Sequence, residues 1–365
     1  MDVIVAGAAA IEGGAASEAA RLVRAVTGAT LDEAGLDAAR VSAVFAGCGR
    51  RGAAPSSEAV VVRLGLRSLG FRPPPSAGHA GGTGRVEHVT ASAAEALHQA
   101  YESVQLGIDD VVLCIGLDQD PGRQWPPEPV LRHRTLAARR YLNRTGLTIE
   151  HLARVVAKNR RHGARRGVSR ELTLAEILDD AVLDWPLTRP MVARGGLGAA
   201  ALILTAPHPA VVRRRCPRIR ASVLVGGGGV EPIAQAARVA CRQAGISPDD
   251  LDCAEVADVT AAAELAAYEQ LGWAVDGNAG DLVRSGFTAL GGVLPVNPSG
   301  GLLCLGERPG TSAIAQVVSL AAQLRGLAGA VQVPGAGVAL AQSAGRPQIE
   351  DDGEEDLIGL TLLTA

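Results

Sequence analysis

Apolar positions along this chain follow two alternating periodicities. From Ser17 to Ala46 the pattern opens with helical spacing, passes through Ala34-Gly35-Leu36 and ends in the apolar run Val41 to Ala46. Glu231 to Val256 repeat that plan, with Ala244-Gly245-Ile246 at the turn and a strand predicted from Leu251 to Val256. In both copies the glycine stands where a helix C-cap requires positive φ, a backbone region that a Cβ disfavours. The shared order of helix, glycine turn, short polar gap and strand implies two related halves. Ser92 to Gly107 carries apolar residues at helical spacing, and Asp109 to Leu117 reads as a strand buried on both faces. Ala313 to Leu324 is the matching helix of the second half, followed by strands at Val338 to Ala341 and Leu357 to Leu363. Helices and strands alternating in duplicate predict two α/β units whose helices are sandwiched between sheets.

Between the halves, roughly Asp118 to Pro190, the character changes. The segment opens with Pro121, Pro126, Pro127 and Pro129 and contains the basic stretch His151 to Gly167. Leu152, Val155 and Val156 give that helix an apolar face, and its charges gather towards the C-terminal end, where they suit the helix dipole. They read either as a solvated helix end or as a surface for coenzyme phosphates, with Arg160 and Arg161 as the candidate ligands.

Composition narrows the partners. The chain has 365 residues, 45 of them glycine, with only 2% aromatics and a formal net charge of -3. Close packing of small side chains is expected, and nothing resembles the broad basic footprint of a nucleic-acid binder. No window approaches the roughly 20 apolar residues that cross a bilayer, and the acidic, glycine-broken start is unlike a secretory signal, so a cytoplasmic location is expected. Cys48, Cys114, Cys216, Cys241, Cys253 and Cys304 lack CxxC or Cys/His spacing, which argues against zinc, or any other metal site, and against a disulfide framework. The run Gly226 to Gly229 after the strand-like Ala221 to Val225 lacks a following Lys-Ser/Thr pair and reads as a connection. His79 reads as a loop histidine near a pocket or in solvent, and the acidic run Asp351 to Asp356 as an exposed loop or docking segment.

The stretch Val296-Asn297-Pro298-Ser299-Gly300-Gly301 to Gly306-Glu307-Arg308-Pro309-Gly310, together with Gln323 to Gly329 and Gln332 to Ala336, resembles the thiolase superfamily, specifically the branch of sterol-carrier-protein thiolases and lipid-transfer-protein-like thiolases. Arg140-Tyr141-Leu142 through His162 resembles that branch's loop-domain helices, and Trp185 to Thr188 its return to the core. The resemblance implies a duplicated thiolase fold, layered α-β-α-β-α, with an inserted loop domain. The N-terminal half would span 1–118, the loop domain 119–190, the end of the N-terminal half 191–225 and the C-terminal half 226–365. It further implies a coenzyme A thioester as substrate with no permanently bound cofactor, a homodimer or a heterodimer with a thiolase-like paralogue, and a small OB-fold partner of the kind that accompanies such relatives.

At the positions where active members carry reactive groups, this sequence differs. Thr90 stands at the nucleophilic cysteine, Ala257 at the His or Asn of the second motif, Glu307 at the histidine of Gly-His-Pro, and Gln342 near the last Cys or His. A threonine hydroxyl without an adjacent base is a poor nucleophile, so cysteine-dependent thiolysis is not expected. Thr90 and Ser92 read as helix caps. Glu307 reads as an ion pair with Arg308 or as a general base or acid. Asn297, Ser299, Gly300 and Gly301 shape a turn above the site and are the candidate substrate-binding positions there. Two functions stay open: an enzyme on acyl-CoA thioesters, by acyl transfer or aldol-type carbon-carbon chemistry with Glu307, Asp258, Thr90, Ser92 or His79 moving protons, and an inactive pseudo-thiolase subunit that stabilises a partner.

Overall fold

The computed structural model describes residues 1–12, 18–48, 57–71, 86–90, 92–118, 126–207, 216–226, 230–344 and 357–365. His79, the Gly227 to Gly229 connection and the acidic run at 351–356 lie outside these residues.

The first half runs β1 (Val3–Glu12), α1 (Ala19–Ala34), β2 (Ala43–Gly47), α2 (Ser57–Arg67), β3 (Val86–Thr90), α3 (Ala93–Gln105) and β4 (Val111–Asp118). An insertion follows, with α4 (Glu128–Thr145), α5 (Ile149–Arg166), α6 (Leu174–Leu178) and the short hairpin β5 (Val182–Asp184) and β6 (Leu187–Thr188). The chain returns through β7 (Gly198–Thr205). The second half runs β8 (Arg218–Gly226), α7 (Val230–Ala244), β9 (Cys253–Glu255), α8 (Ala261–Gln270), α9 (Ala279–Arg284), α10 (Gly301–Leu305), α11 (Ser312–Arg325), β10 (Val338–Ala344) and β11 (Leu357–Thr364).

The repeat read from the sequence is present in the backbone. Gly35 and Gly245 both cap their helices at φ 66°, and a single 3-10 turn then leads into β2 and into β9. Strand order is mirrored as well. The first half pairs as β3-β2-β4-β7-β1 and the second as β8-β11-β10-β9. In the place that β3 holds beside β2, Val296 forms an isolated parallel bridge to Ala254 of β9. Two pairs, Val3 with Ile219 and Ile4 with Arg218, join the half-sheets edge to edge into a run of nine strands.

Three helical layers enclose the two half-sheets. The middle layer is α3 with α11, whose Leu97, Ala100, Val104, Val317, Leu320 and Leu324 share one apolar cluster with strands of both halves. Helices α1 and α2 cover the outer face of the first half-sheet. On the outer face of the second half-sheet, α7 and α8 share a cluster with Leu152, Val155 and Val156 of α5. The architecture is therefore the expected five-layered α-β-α-β-α arrangement. Sequence reading did not single out β1 and β7, because both are alanine-rich apolar runs largely covered on both faces, and such strands show no polar alternation.

Candidate functional site

The turn at Asn297 to Gly301 is the geometric centre of the candidate site. Asn297 adopts φ 53°, left-handed for a residue other than glycine, and its side chain holds it there. Its Oδ1 accepts from Val256 N at 2.8 Å, and its Nδ2 donates to Glu264 Oε2 at 2.8 Å. Ser299 donates from N (3.1 Å) and Oγ (2.7 Å) to Glu255, which also accepts from Ser319 Oγ at 2.9 Å. Burial pushes the Glu255 carboxyl up. Gly301 is required by its surroundings. It sits at φ 65°, and a Cβ there would run into the carboxylate of Asp258.

Asp258 is fully buried and caps α10, accepting from Leu302 N at 2.6 Å and Leu303 N at 3.2 Å. Burial, and then the nearby Glu264, push its carboxyl well above the usual range. Around it lies a polar network that the sequence reading missed. Asn159 donates to Asp258 at 2.8 Å and to Glu264 at 2.7 Å, Lys158 pairs with Glu264 at 2.8 Å and donates to Val296 O at 2.7 Å, and Tyr268 bonds Glu264. His162 bridges Asn297 O (2.9 Å) and Leu290 N (3.0 Å). Lys158 and Asn159, with His162 one turn on, lie on the inner face of α5, so part of the basic run is core. This corrects the expectation of a solvated helix end for those three residues, while Arg160 and Arg161 stay outside the buried set. In such a dry network each partner polarises the next, and losing one strands the others.

Glu307 is buried in the strand-like segment after α10, bridged to Gly195. Its partner is Arg134 of α4, whose Nη2 lies 2.7 Å from both carboxylate oxygens. The expected ion pair with Arg308 does not form. Consecutive residues of an extended segment point to opposite sides, so Arg308 faces away. A cleft of about 190 Å³ lies beside Arg134, between α4 and the start of α8, walled by Ala138, Tyr141, Val259, Ala262, Ala266 and Ala344. Ala257 packs with Val259 and Ala344 next to it, and its N–H donates to Gln342 Oε1 at 2.9 Å.

Thr90 and Ser92 come from the other half. Thr90 Oγ1 donates to Ser92 O at 2.8 Å, and Ser92 is the N-cap of α3, accepting from Glu95 N at 3.2 Å. Ala93 N donates to Pro309 O at 2.9 Å, which ties this helix start to the Glu307 segment. Gly300 packs against Gly163 of α5. Arg160 is half-buried and Arg161 is exposed, 4.0 Å from Glu171. The structure thus gathers Asp258, Asn297, Ser299, Gly300 and Gly301 around α10, with Glu307 at its end. It sets Arg160 and Arg161 between the α5 residues that touch the site, half-buried and exposed respectively. The thiol in α10 is Cys304, whose Sγ donates to Asn159 O at 3.3 Å and which burial pushes up to about 11. Among the described residues no acidic, histidine or cysteine cluster suits a metal ion, and no helix is long and apolar enough to cross a membrane.

Comparison with known proteins agrees with this architecture. Residues 228–350 match the thiolase C-terminal domain-like family. The chain is 29% identical to sterol carrier protein 2 of Bos taurus over 68% of its own length and 54% of that protein's, so it spans about half of that relative. It is 28% identical to an acetyl-CoA acetyltransferase of Methanothermobacter thermautotrophicus, over 86% of this chain and 88% of that one. Among solved structures, the Ltp2-ChsH2(DUF35) aldolase superposes with a TM-score of 0.77 at 19% identity, covering 100% of this chain and 98% of that one.

Proposed function

This chain belongs to the thiolase superfamily, and from that premise we propose that it holds acyl-CoA-type thioesters and that any chemistry on them proceeds without a covalent acyl-enzyme. The observation that carries the reading is the buried Arg134–Glu307 pair at the position of the family's activating histidine. A carboxylate can take a proton but cannot make a thiol from Thr90. The chemistry best suited to such a site is aldol-type. A base takes the proton of a β-hydroxyl, the Cα–Cβ bond breaks, and the thioester enolate left behind is protonated at Cα. Glu307 is the base in this scheme and Arg134 holds it in place. Residues 119–190 act as the loop domain, presenting Arg160 and Arg161 to coenzyme phosphates. An aldolase with the same fold is an instance of this scaffold carrying such chemistry.

One observation favours a second reading. Thr90, Ser92, Asp258 and Ser299 all spend their polar atoms on capping and turn bonds. An inactive subunit, binding a thioester or stabilising a thiolase-like or small OB-fold partner in a dimer or larger complex, would look the same. The readings separate by experiment. With a β-hydroxyacyl-CoA, the enzymatic reading expects carbonyl release that Glu307→Gln abolishes, with intact mass unchanged after acetyl-CoA. No release with any partner present leaves the subunit reading, and an acyl adduct on Thr90 or Ser92 refutes the shared claim.

A further inference from the structure

Arg308, turned away from Glu307, is one of the largest fully buried side chains, at 1% exposure. A guanidinium out of water normally has a carboxylate within hydrogen-bond reach. Here the nearest ion-pair contact is Glu12 at 3.9 Å, and Nε has no hydrogen-bond partner. Glu12 is better placed for Arg166, 3.2 Å away. Burial makes the charge on Arg308 costly, offset only by the fields of Glu12 and Asp118.

Arg308 lines a cavity of about 220 Å³ between α10, α11 and the end of β1. A second unpartnered buried atom, Gln316 Oε1, belongs to the same lining, while Gln316 Nε2 is taken by Gln342 O at 3.0 Å. The cavity therefore offers one unmatched cationic donor and one unmatched acceptor. Leu305, Leu327 and Val331 supply apolar walls. Glu255, which also lines it, is saturated by Ser299 and Ser319.

We propose that this cavity binds a short-chain hydroxycarboxylic acid, its carboxylate on the Arg308 guanidinium, its hydroxyl donating to Gln316 Oε1 and its hydrocarbon part on Leu305, Leu327 and Val331. A planar carboxylate matches the guanidinium fork. Arg166 on the same wall is engaged by Glu12 at 3.2 Å, and Glu255 beside them disfavours an anion of higher charge. The volume is below the roughly 300–1,000 Å³ of ordinary small-molecule sites, which limits the ligand to a few carbons. The site takes Ser299 and Gly301 of the central turn into its wall but shares no lining residue with the cleft beside Arg134, and it does not depend on the acyl-CoA reading.

The test is calorimetric titration of the full chain with 3-hydroxybutyrate, butyrate and inorganic phosphate. 3-Hydroxybutyrate should bind with one site, butyrate about tenfold more weakly because Gln316 is left unpaired, and phosphate more weakly still. Arg308→Met should abolish binding. Ala322→Leu, which fills the cavity from α11 without touching a charge, should do the same and guards against misfolding of the first variant. Absence of 3-hydroxybutyrate binding to the folded chain, equal affinity for butyrate or phosphate, or undiminished binding by folded Ala322→Leu would overturn the assignment.

Discussion

Acid should unfold this protein through His162, and the structure sets the size of the effect. Nδ1 donates to Asn297 O at 2.9 Å and Nε2 accepts from Leu290 N–H at 3.0 Å, so the neutral ring is saturated. A second proton would have to sit on Nε2, facing another N–H donor. Burial, and then the ammonium of Lys158, lower its pKa from 6.5 to about 3. The sign follows from proton binding. As pH falls below 6.5 the unfolded chain takes the proton first, so stability is complete above 6.5 and is lost progressively towards 3. That gap amounts to about 5 kcal/mol below both values and about 2 kcal/mol between pH 7 and pH 5. Glu255 and Asp258, whose carboxyls are raised, act with the opposite sign, since their folded forms gain protons as pH falls. They are common to wild type and variant and cancel in a comparison. His162→Gln keeps a donor and an acceptor but does not titrate. Urea unfolding at pH 7 and pH 5 should show wild type losing about 2 kcal/mol more than His162→Gln over that interval. Equal losses in the two chains would refute the argument.

Three further outcomes are expected. Arg134→Met, which removes the ion-pair partner that lies 2.7 Å from both oxygens of the buried Glu307 carboxylate, should cost about 3–5 kcal/mol, whereas Arg134→Met with Glu307→Met should recover most of that loss; thermal unfolding of both checks it. Gly301→Ala should destabilise by about 2 kcal/mol or more in the same assay, from positive φ together with the clash against Asp258. Ser92→Ala should cost about 1 kcal/mol as a lost N-cap and leave any turnover of a β-hydroxyacyl-CoA intact; a selective loss of turnover with stability unchanged would show that the hydroxyl reaches substrate.

Local rules made much of the fold legible. Gly35 and Gly245 mark the ends of α1 and α7 because a left-handed cap is a property of one residue and its neighbours, and β4 is visible because both its faces are buried. The turn at Asn297 to Gly301 could be found from its residues for the same reason. The partners of the site could not. Arg134 and Glu307 are 173 residues apart, and Asn159 and Asp258 are 99 apart, so nothing in either local pattern points to the other. Lys158 and His162 looked like members of a solvated basic run, since charge density along a chain does not reveal which side of a helix faces inward. Their spacing was the available signal: residues one turn apart share a face, and that face also carries Leu152 and Val155. Glu307 and Arg308 were paired on adjacency alone, where the extended backbone places them on opposite sides.

The central claim, that this scaffold still holds acyl-CoA thioesters, is tested most directly by calorimetric titration of the full chain with coenzyme A and acetyl-CoA. Saturable binding of both at micromolar concentration is the expected result. A folded chain that takes up neither would contradict it.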